Sequence, residues 1–214
     1  MTTFIFVRHG QSESNLAKVF TGQGQVDLTP LGVEQAKKTA EFLKEYPIDV
    51  IYASDLARAM QTADPTAQMH GLEVLPNPAF REIFAGEWEG KPYTALMEQY
   101  PDSFSMWHQN VGCAHPDGGE SVRALAQRVN GELERLLALH RGRCVAIFSH
   151  ATPIRALACK WFDRPIEEMA QVPWASNASV SVVEYADDGS FRVILYACAE
   201  HLGENKTNLP ANLV

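Results

Sequence analysis

FIFVRHGQSESN (residues 4–15) begins as four consecutive apolar, strand-forming residues and turns without transition into an arginine, a histidine and a glycine. Phe4 to Val7 show no polar alternation, the pattern of a strand buried on both faces as in a parallel sheet. Polar residues can simply mark a strand's exit. A guanidinium and an imidazole side by side also suit a reactive loop at the carboxyl end of a central strand, where open α/β sheets bind ligands. The rest of the chain decides between the two.

Further strand-like runs lie at 49–53 (DVIYA), 72–75 (LEVL), 143–148 (RCVAIF), 179–184 (SVSVVE) and 191–196 (FRVILY). Helical patterns separate the early ones. Thr29-Pro30 reads as an N-cap with proline at the first helical position, opening a helix through about Tyr46. Asp55 reads as the cap of a second helix that Pro65 interrupts or kinks. Over 120–140, Val122, Leu125, Val129, Leu133, Leu136 and Leu137 recur at helical spacing. Asp187, Asp188 and Gly189 between two alternating runs read as a β-hairpin. The expected fold is therefore a three-layer α/β/α arrangement around a mostly parallel sheet with an antiparallel edge strand. It is expected to form a single domain over residues 1–214. Residues 77–118, rich in proline, glycine, tryptophan and tyrosine, read as an excursion over the sheet with short helical pieces near 93–108. The tail 203–214 reads as loosely held.

A net charge of −8 argues against nucleic acid or an anionic membrane as partner, yet a local cationic pocket would stand out against it. Cys113, Cys144, Cys159 and Cys198 form no CxxC pair, so a reducing, cytoplasmic setting is expected. No secretory leader and no membrane-spanning stretch is expected. A homodimer is left open.

Three apolar runs end in reactive side chains: Arg8-His9-Gly10, then Ser54-Asp55 with Arg58, then Ser149-His150. Core packing explains two histidines and two arginines at such exits poorly, because arginine is seldom buried without an anion or acid to meet. Arginine forks match phosphate oxygens bidentately. One neutral imidazole could attack phosphorus while a second donates to the oxygens where charge gathers. An acid must then protonate the departing alkoxide. Glu82 is the candidate, because its competitor Asp55 reads as a helix cap. Ser149 lacks the flanking glycines of a nucleophile elbow.

With these residues assembled, the chain resembles the histidine phosphatase superfamily, the fold of cofactor-dependent phosphoglycerate mutases and related phosphatases. VRHGQSESN (7–15) resembles its Arg-His-Gly signature with an asparagine position, here Asn15, and FTG (20–22) its phosphate-side loop. YASDLARAMQTA (52–63) supplies Arg58, REIFAGEWEG (81–90) supplies Glu82, PDGGES (116–121) precedes the long helix, and FSHATPIRAL (148–157) supplies His150. Six segments in one order make chance agreement very small. The resemblance implies His9 as nucleophile, with Arg8, Arg58 and His150 around the phosphoryl group. It also implies Glu82 as general acid, and Asn15, Thr21, Gly22 and Ala151 on the substrate side. It implies no metal and no cofactor, and a small phosphorylated metabolite as substrate. The implied activity is a phosphomonoesterase acting through phosphohistidine.

Two features depart from the family. Ala151 stands where most relatives have glycine, and the arginine-rich pattern that mutases carry after the acid is missing, Glu82 being followed by Ile83-Phe84. The second places the chain on the phosphatase branch, with a phosphoglycerate mutase as the alternative. A non-catalytic phospholigand-binding protein is the alternative of another class, disfavoured because every reactive position is intact. His70, His108, His115, His140 and His201 show no metal-ligand spacing, though the chain end at His201 could fold back over the pocket. Trp88, Tyr93, Trp107 and Trp174 read as packing, those within 77–118 also walling the site.

Overall fold

In a computed structural model that describes residues 1–207, the opening stretch forms β1 (Thr2–Arg8), near the middle of a six-stranded sheet. The chain continues through α1 (Glu13–Ala17), β2 (Val19–Phe20), α2 (Pro30–Leu43), β3 (Val50–Ala53), α3 (Ala57–His70) and β4 (Val74–Pro76). Then follow β5 (Lys91–Pro92), α4 (Tyr93–Gln99), α5 (Pro101–Gln109), α6 (Val122–Leu139) and β6 (Cys144–Ser149). α7 (Ala151–Trp161), β7 (Val180–Tyr185) and β8 (Phe191–Cys198) complete the order. The sheet runs β4-β3-β6-β1-β7-β8. β4, β3, β6 and β1 are mutually parallel, β7 is antiparallel to β1, and the hairpin to β8 closes that side.

β1 shows why its sequence does not alternate. Phe4 and Phe6 point into a cluster with Leu133, Leu136 and Trp161, under α6 and α7. Ile5 and Val7 point the other way, among Leu43, Ala63 and Ala67 of α2 and α3. All four are fully buried, each contributing about 1.5–3 kcal/mol relative to exposure. Two helical layers on one sheet follow directly. Among the described residues, no helix is long and apolar enough to cross a membrane.

Three helix starts, those of α1, α2 and α6, are capped by a side chain, and the other four are not. Thr29 caps α2 by accepting from the Gly32 N–H at 3.1 Å, and Ser121 caps α6 through the Ala124 N–H. α2 ends at Leu43 rather than Tyr46, because the residue before Pro47 is disfavoured in helical geometry. Asp55 is not a cap. α3 starts after Leu56 with no side-chain cap, and the Asp55 carboxylate instead receives Arg81 through Nε at 2.6 Å and through Nη2. A bidentate charge-assisted pair is stronger than a single cap bond. Pro65 does not interrupt α3, which continues to His70 and stops at Gly71 in left-handed geometry.

Residues 77–118 fold back over the sheet. β5 pairs antiparallel with β2, matching Val19 to Pro92 and Phe20 to Lys91, a small second sheet that the sequence reading lacked. Phe80, Ile83, Trp88, Leu96 and Phe104 are buried in the same cluster as Phe4 and Phe6. The tail runs from Gly203 to Thr207 against the protein, and the rest of the expected loose segment lies outside the described residues. His201 itself stays out of the pocket, its Nε2 3.1 Å from Thr39 Oγ1 and its ring stacked on Phe42, but the chain end beyond it does fold back, with Thr207 lining the cavity.

Candidate active site

The carboxyl ends of β1, β3 and β6 bring their reactive residues together. Arg8 ends β1 and His9 follows it, Arg58 stands in the first turn of α3, and His150 is the N-cap residue of α7. The His9 and His150 rings lie 5.1 Å apart, centroid to centroid. Arg8 is 5% exposed, His9 4%, Arg58 2% and His150 0%. A cavity of about 150 Å³ opens above His9.

Each group is held by backbone. The His9 Nδ1 lies 2.7 Å from the Gly10 carbonyl oxygen. A carbonyl only accepts, so Nδ1 carries the proton and Nε2 keeps its lone pair. Gly10 must be glycine, since a Cβ there would stand 2.6 Å from the Gly32 oxygen. Arg58 donates through Nη1 to the Gly24 carbonyl at 2.9 Å and through Nη2 to that of Gly22 at 2.8 Å. Gly22 supplies the latter from a left-handed conformation, φ 52°. Arg8 donates through Nη1 to the Ala175 carbonyl at 2.6 Å, while its buried Nε has no protein partner.

Electrostatics set the protonation states. Burial, then the charges of Arg58 and Arg8, hold His9 well below its ordinary 6.5, so its imidazole is neutral at neutral pH. His150 is depressed likewise, by burial first and then by Arg58. Burial also lowers both guanidinium groups, Arg8 and Arg58, to about 10, leaving them fully charged near neutrality. The His150 Nε2 lies 2.8 Å from Ser54 Oγ, and its Nδ1 is buried without a partner. A hydroxyl donating to Nε2 leaves the proton on Nδ1, the nitrogen still free to bind an oxygen. Glu82 reaches over from the excursion. Its Oε1 accepts from the Ile83 N–H at 2.8 Å, and its Oε2 from the Thr152 N–H, in the first turn of α7, at 3.4 Å. Two fixed cations, two neutral imidazoles and one carboxylate can bind a dianionic oxyanion and move one proton.

Arg8, His9, Asn15, Thr21, Gly22, Arg58, Glu82 and Ala151 all line this cavity, and His150 sits behind it. Asp55, paired with Arg81, does not. Of the aromatic residues, Tyr93 and Trp107 wall the cavity, Trp88 lies in the core, and Trp174 lines the cavity rather than merely packing. His108, given a bland reading from its spacing, is also a lining residue.

Asn177 escaped the sequence reading altogether. Its Nδ2 donates to the carbonyls of His9 at 3.2 Å and Gly10 at 3.3 Å and to Asn15 Oδ1 at 3.0 Å, while Thr207 donates to its Oδ1 at 3.1 Å. The available signal was the small, polar run from Ala175 to Ser179 feeding straight into an apolar strand. Among the described residues, no group of three or more His, Cys, Asp or Glu side chains could hold a metal ion.

A three-layer α/β enzyme with paired histidines at its strand exits is the class that fold and site define. The histidine phosphatase superfamily (branch 1) matches residues 4–198, and the chain belongs to it. Phosphoserine phosphatase 1 of Hydrogenobacter thermophilus is 33% identical over 207 residues, covering 95% of this chain and 96% of that protein. Phosphoglycerate mutase-like protein 4 of Arabidopsis thaliana is 31% identical, over 94% and 86% of the two chains. The solved structure of Bacillus stearothermophilus YhfR superposes with a TM-score of 0.90 at 25% identity, covering 94% of this chain and all of that one.

Proposed function

We propose that the protein is a metal-independent phosphomonoesterase that works through a phosphohistidine on His9. The observation that carries this reading is the neutral His9 imidazole, its Nδ1 proton engaged by Gly10 and its Nε2 free beside two arginines. In the first step the Nε2 lone pair attacks phosphorus and the P–O ester bond breaks, while Glu82 gives its proton to the departing alkoxide. In the second step the Glu82 carboxylate takes a proton from water. That water oxygen attacks phosphorus, the P–N bond breaks, and phosphate and neutral His9 are restored. Arg8, Arg58 and the Nδ1–H of His150 hold the equatorial oxygens as charge gathers on them.

Brief incubation with substrate and an acid-free quench should give a phosphoenzyme that is acid-labile and alkali-stable, absent in His9→Ala. Turnover of that variant should fall by about 10⁴-fold or more. Phosphate found on serine or cysteine, or full activity in His9→Ala, overturns the mechanism. Transfer of the trapped phosphate to phoshoglycerate in preference to water would make the protein a mutase.

A further inference from the structure

The cavity is charged on one side only. Among the described residues, Arg8 and Arg58 are the sole arginines that line it, and no lysine does. Both flank His9, and the phosphoryl group occupies them. Three nearby arginines are committed elsewhere, and the exposed Lys18 and Lys206, next in the chain to Val19 and Thr207, do not line the cavity. Arg81 pairs with Asp55, Arg128 with Glu120, and Arg155 donates to the carbonyls of Met169 and Val172. Residues 208–214 bring no basic side chain in the sequence. One remaining wall is Val19, Phe20, Tyr93, Trp107, His108 and Trp174, and the other carries only uncharged polar groups, those of Gln11, Asn15, Thr21, Thr152, Asn177 and Thr207. The rings brace one another: Phe20 meets Trp107 edge-on at 5.0 Å, and Phe104 meets His108 at 4.7 Å. Burial depresses His108, so at neutral pH it adds no charge. A ligand carboxylate in this space would meet aromatic rings and neutral amide or hydroxyl groups, with no lining cation beyond the two arginines that hold the phosphoryl group.

We propose that this site selects phosphate monoesters of uncharged alcohols that carry an aromatic or extended apolar group, and discriminates against phosphorylated acids. The inference rests on the hydrolase reading above and adds the substrate class to it. An apolar leaving group would lie against Phe20, Trp107 and Trp174. A cationic one is disfavoured, because the Arg155 guanidinium already lies 4.2 Å from the Trp174 ring centre. A second positive charge on that ring would be repelled.

The test compares kcat/KM for benzyl phosphate, ethyl phosphate, O-phosphoserine, 3-phosphoglycerate and choline phosphate. Benzyl and ethyl alkoxides are both poor leaving groups, so the comparison reads recognition. Benzyl phosphate should exceed ethyl phosphate by about tenfold or more, and the two phosphorylated acids should fall below ethyl phosphate by a similar factor. His108→Arg, which places a cation in the wall, should raise 3-phosphoglycerate relative to ethyl phosphate by about tenfold. Wild-type preference for either acid or for choline phosphate over benzyl phosphate overturns the proposal. So does equal turnover of all five, or no gain in His108→Arg. A protein inactive on every ester sinks the hydrolase reading instead. The substrate class is then decided by calorimetric titration of His9→Ala, where tighter binding of 3-phosphoglycerate than of benzyl phosphate overturns it.

Discussion

Arg8, His9 and Arg58, with His150 behind them, approach the cavity from the sheet and the helices that follow it, at most 5% exposed and tied to main-chain carbonyls or to Ser54. Phe20, Tyr93, Trp107, His108 and Trp174 enter from a two-residue strand, two short helices and a loop; Phe20 packs on Tyr93 and Trp107, His108 on Phe104, and Trp174 on the Arg155 guanidinium. The floor is fixed by polar geometry and the wall by ring packing. Backbone-anchored charge leaves little latitude in where a phosphoryl group can sit. Packed rings can be exchanged for others without moving the floor. On the proposed function, the difference gives the reaction to one region and the choice of alcohol to the other.

Substitutions in the floor should therefore act on every ester, and those in the wall should act on ratios. The bridge between the two regions is Glu82, whose replacement gives the largest contrast. In Glu82→Gln, rapid-quench measurement of phosphoenzyme formation should show a loss of about 10²- to 10⁴-fold with ethyl phosphate. The loss with p-nitrophenyl phosphate should be far smaller, because that leaving group departs as an anion. Equal losses would remove Glu82 as the acid. Asp55 is then no ready substitute, since the Arg81 pair holds its carboxyl below the usual range.

Arg58→Lys keeps the charge but loses the fork that spans the Gly22 and Gly24 carbonyls. We expect kcat/KM to drop by roughly 10²- to 10³-fold for all esters alike. A drop confined to one ester would move Arg58 from floor to wall.

His9 and His150 also tie the floor to stability. Both are depressed in the folded protein, so below about pH 6.5 the unfolded chain binds protons that the folded one does not. Stability is full above that value and falls as pH drops below it, by as much as about 1.4 kcal/mol per histidine per pH unit. Denaturant midpoints from pH 8 to 5.5 should follow this curve, and His9→Ala should flatten it. An unchanged slope in that variant would mean that His9 titrates normally.

The smallest effect belongs to the wall. Trp107→Leu should lower the benzyl-to-ethyl ratio of kcat/KM by about fivefold. A loss shared equally by both esters would show that the wall positions the phosphoryl group after all.

Much of this was legible in residue order. Strand-like runs located all six strands of the main sheet, as continuous signals where burial is on both faces, in β1, β3 and β6, and as shorter or alternating runs in the largely exposed edge strands β4 and β8. The floor could be read because its residues follow those runs directly. Asp55 could not, since its partner Arg81 lies 26 positions away and nothing local announces the pair. β2 and β5, two residues each, carry no periodicity at all. His108 faces the cavity only once residues 77–118 have folded back, and Asn177 meets His9 across 168 positions. Both depend on long-range closure, which a local pattern does not encode.

β1 is the first strand in the sequence, yet its two neighbours are Cys144–Ser149 and Val180–Tyr185. During synthesis, Phe4, Ile5, Phe6 and Val7 therefore leave the ribosome long before either edge that will cover them exists. Pairings across such sequence distances form slowly, and the unpaired strand stays exposed to other chains meanwhile. A nascent chain halted before residue 144 has His9 but neither of the strands that flank β1. The strand that carries Arg8 and His9 precedes in the chain, by more than a hundred residues, both strands that hold it in the sheet.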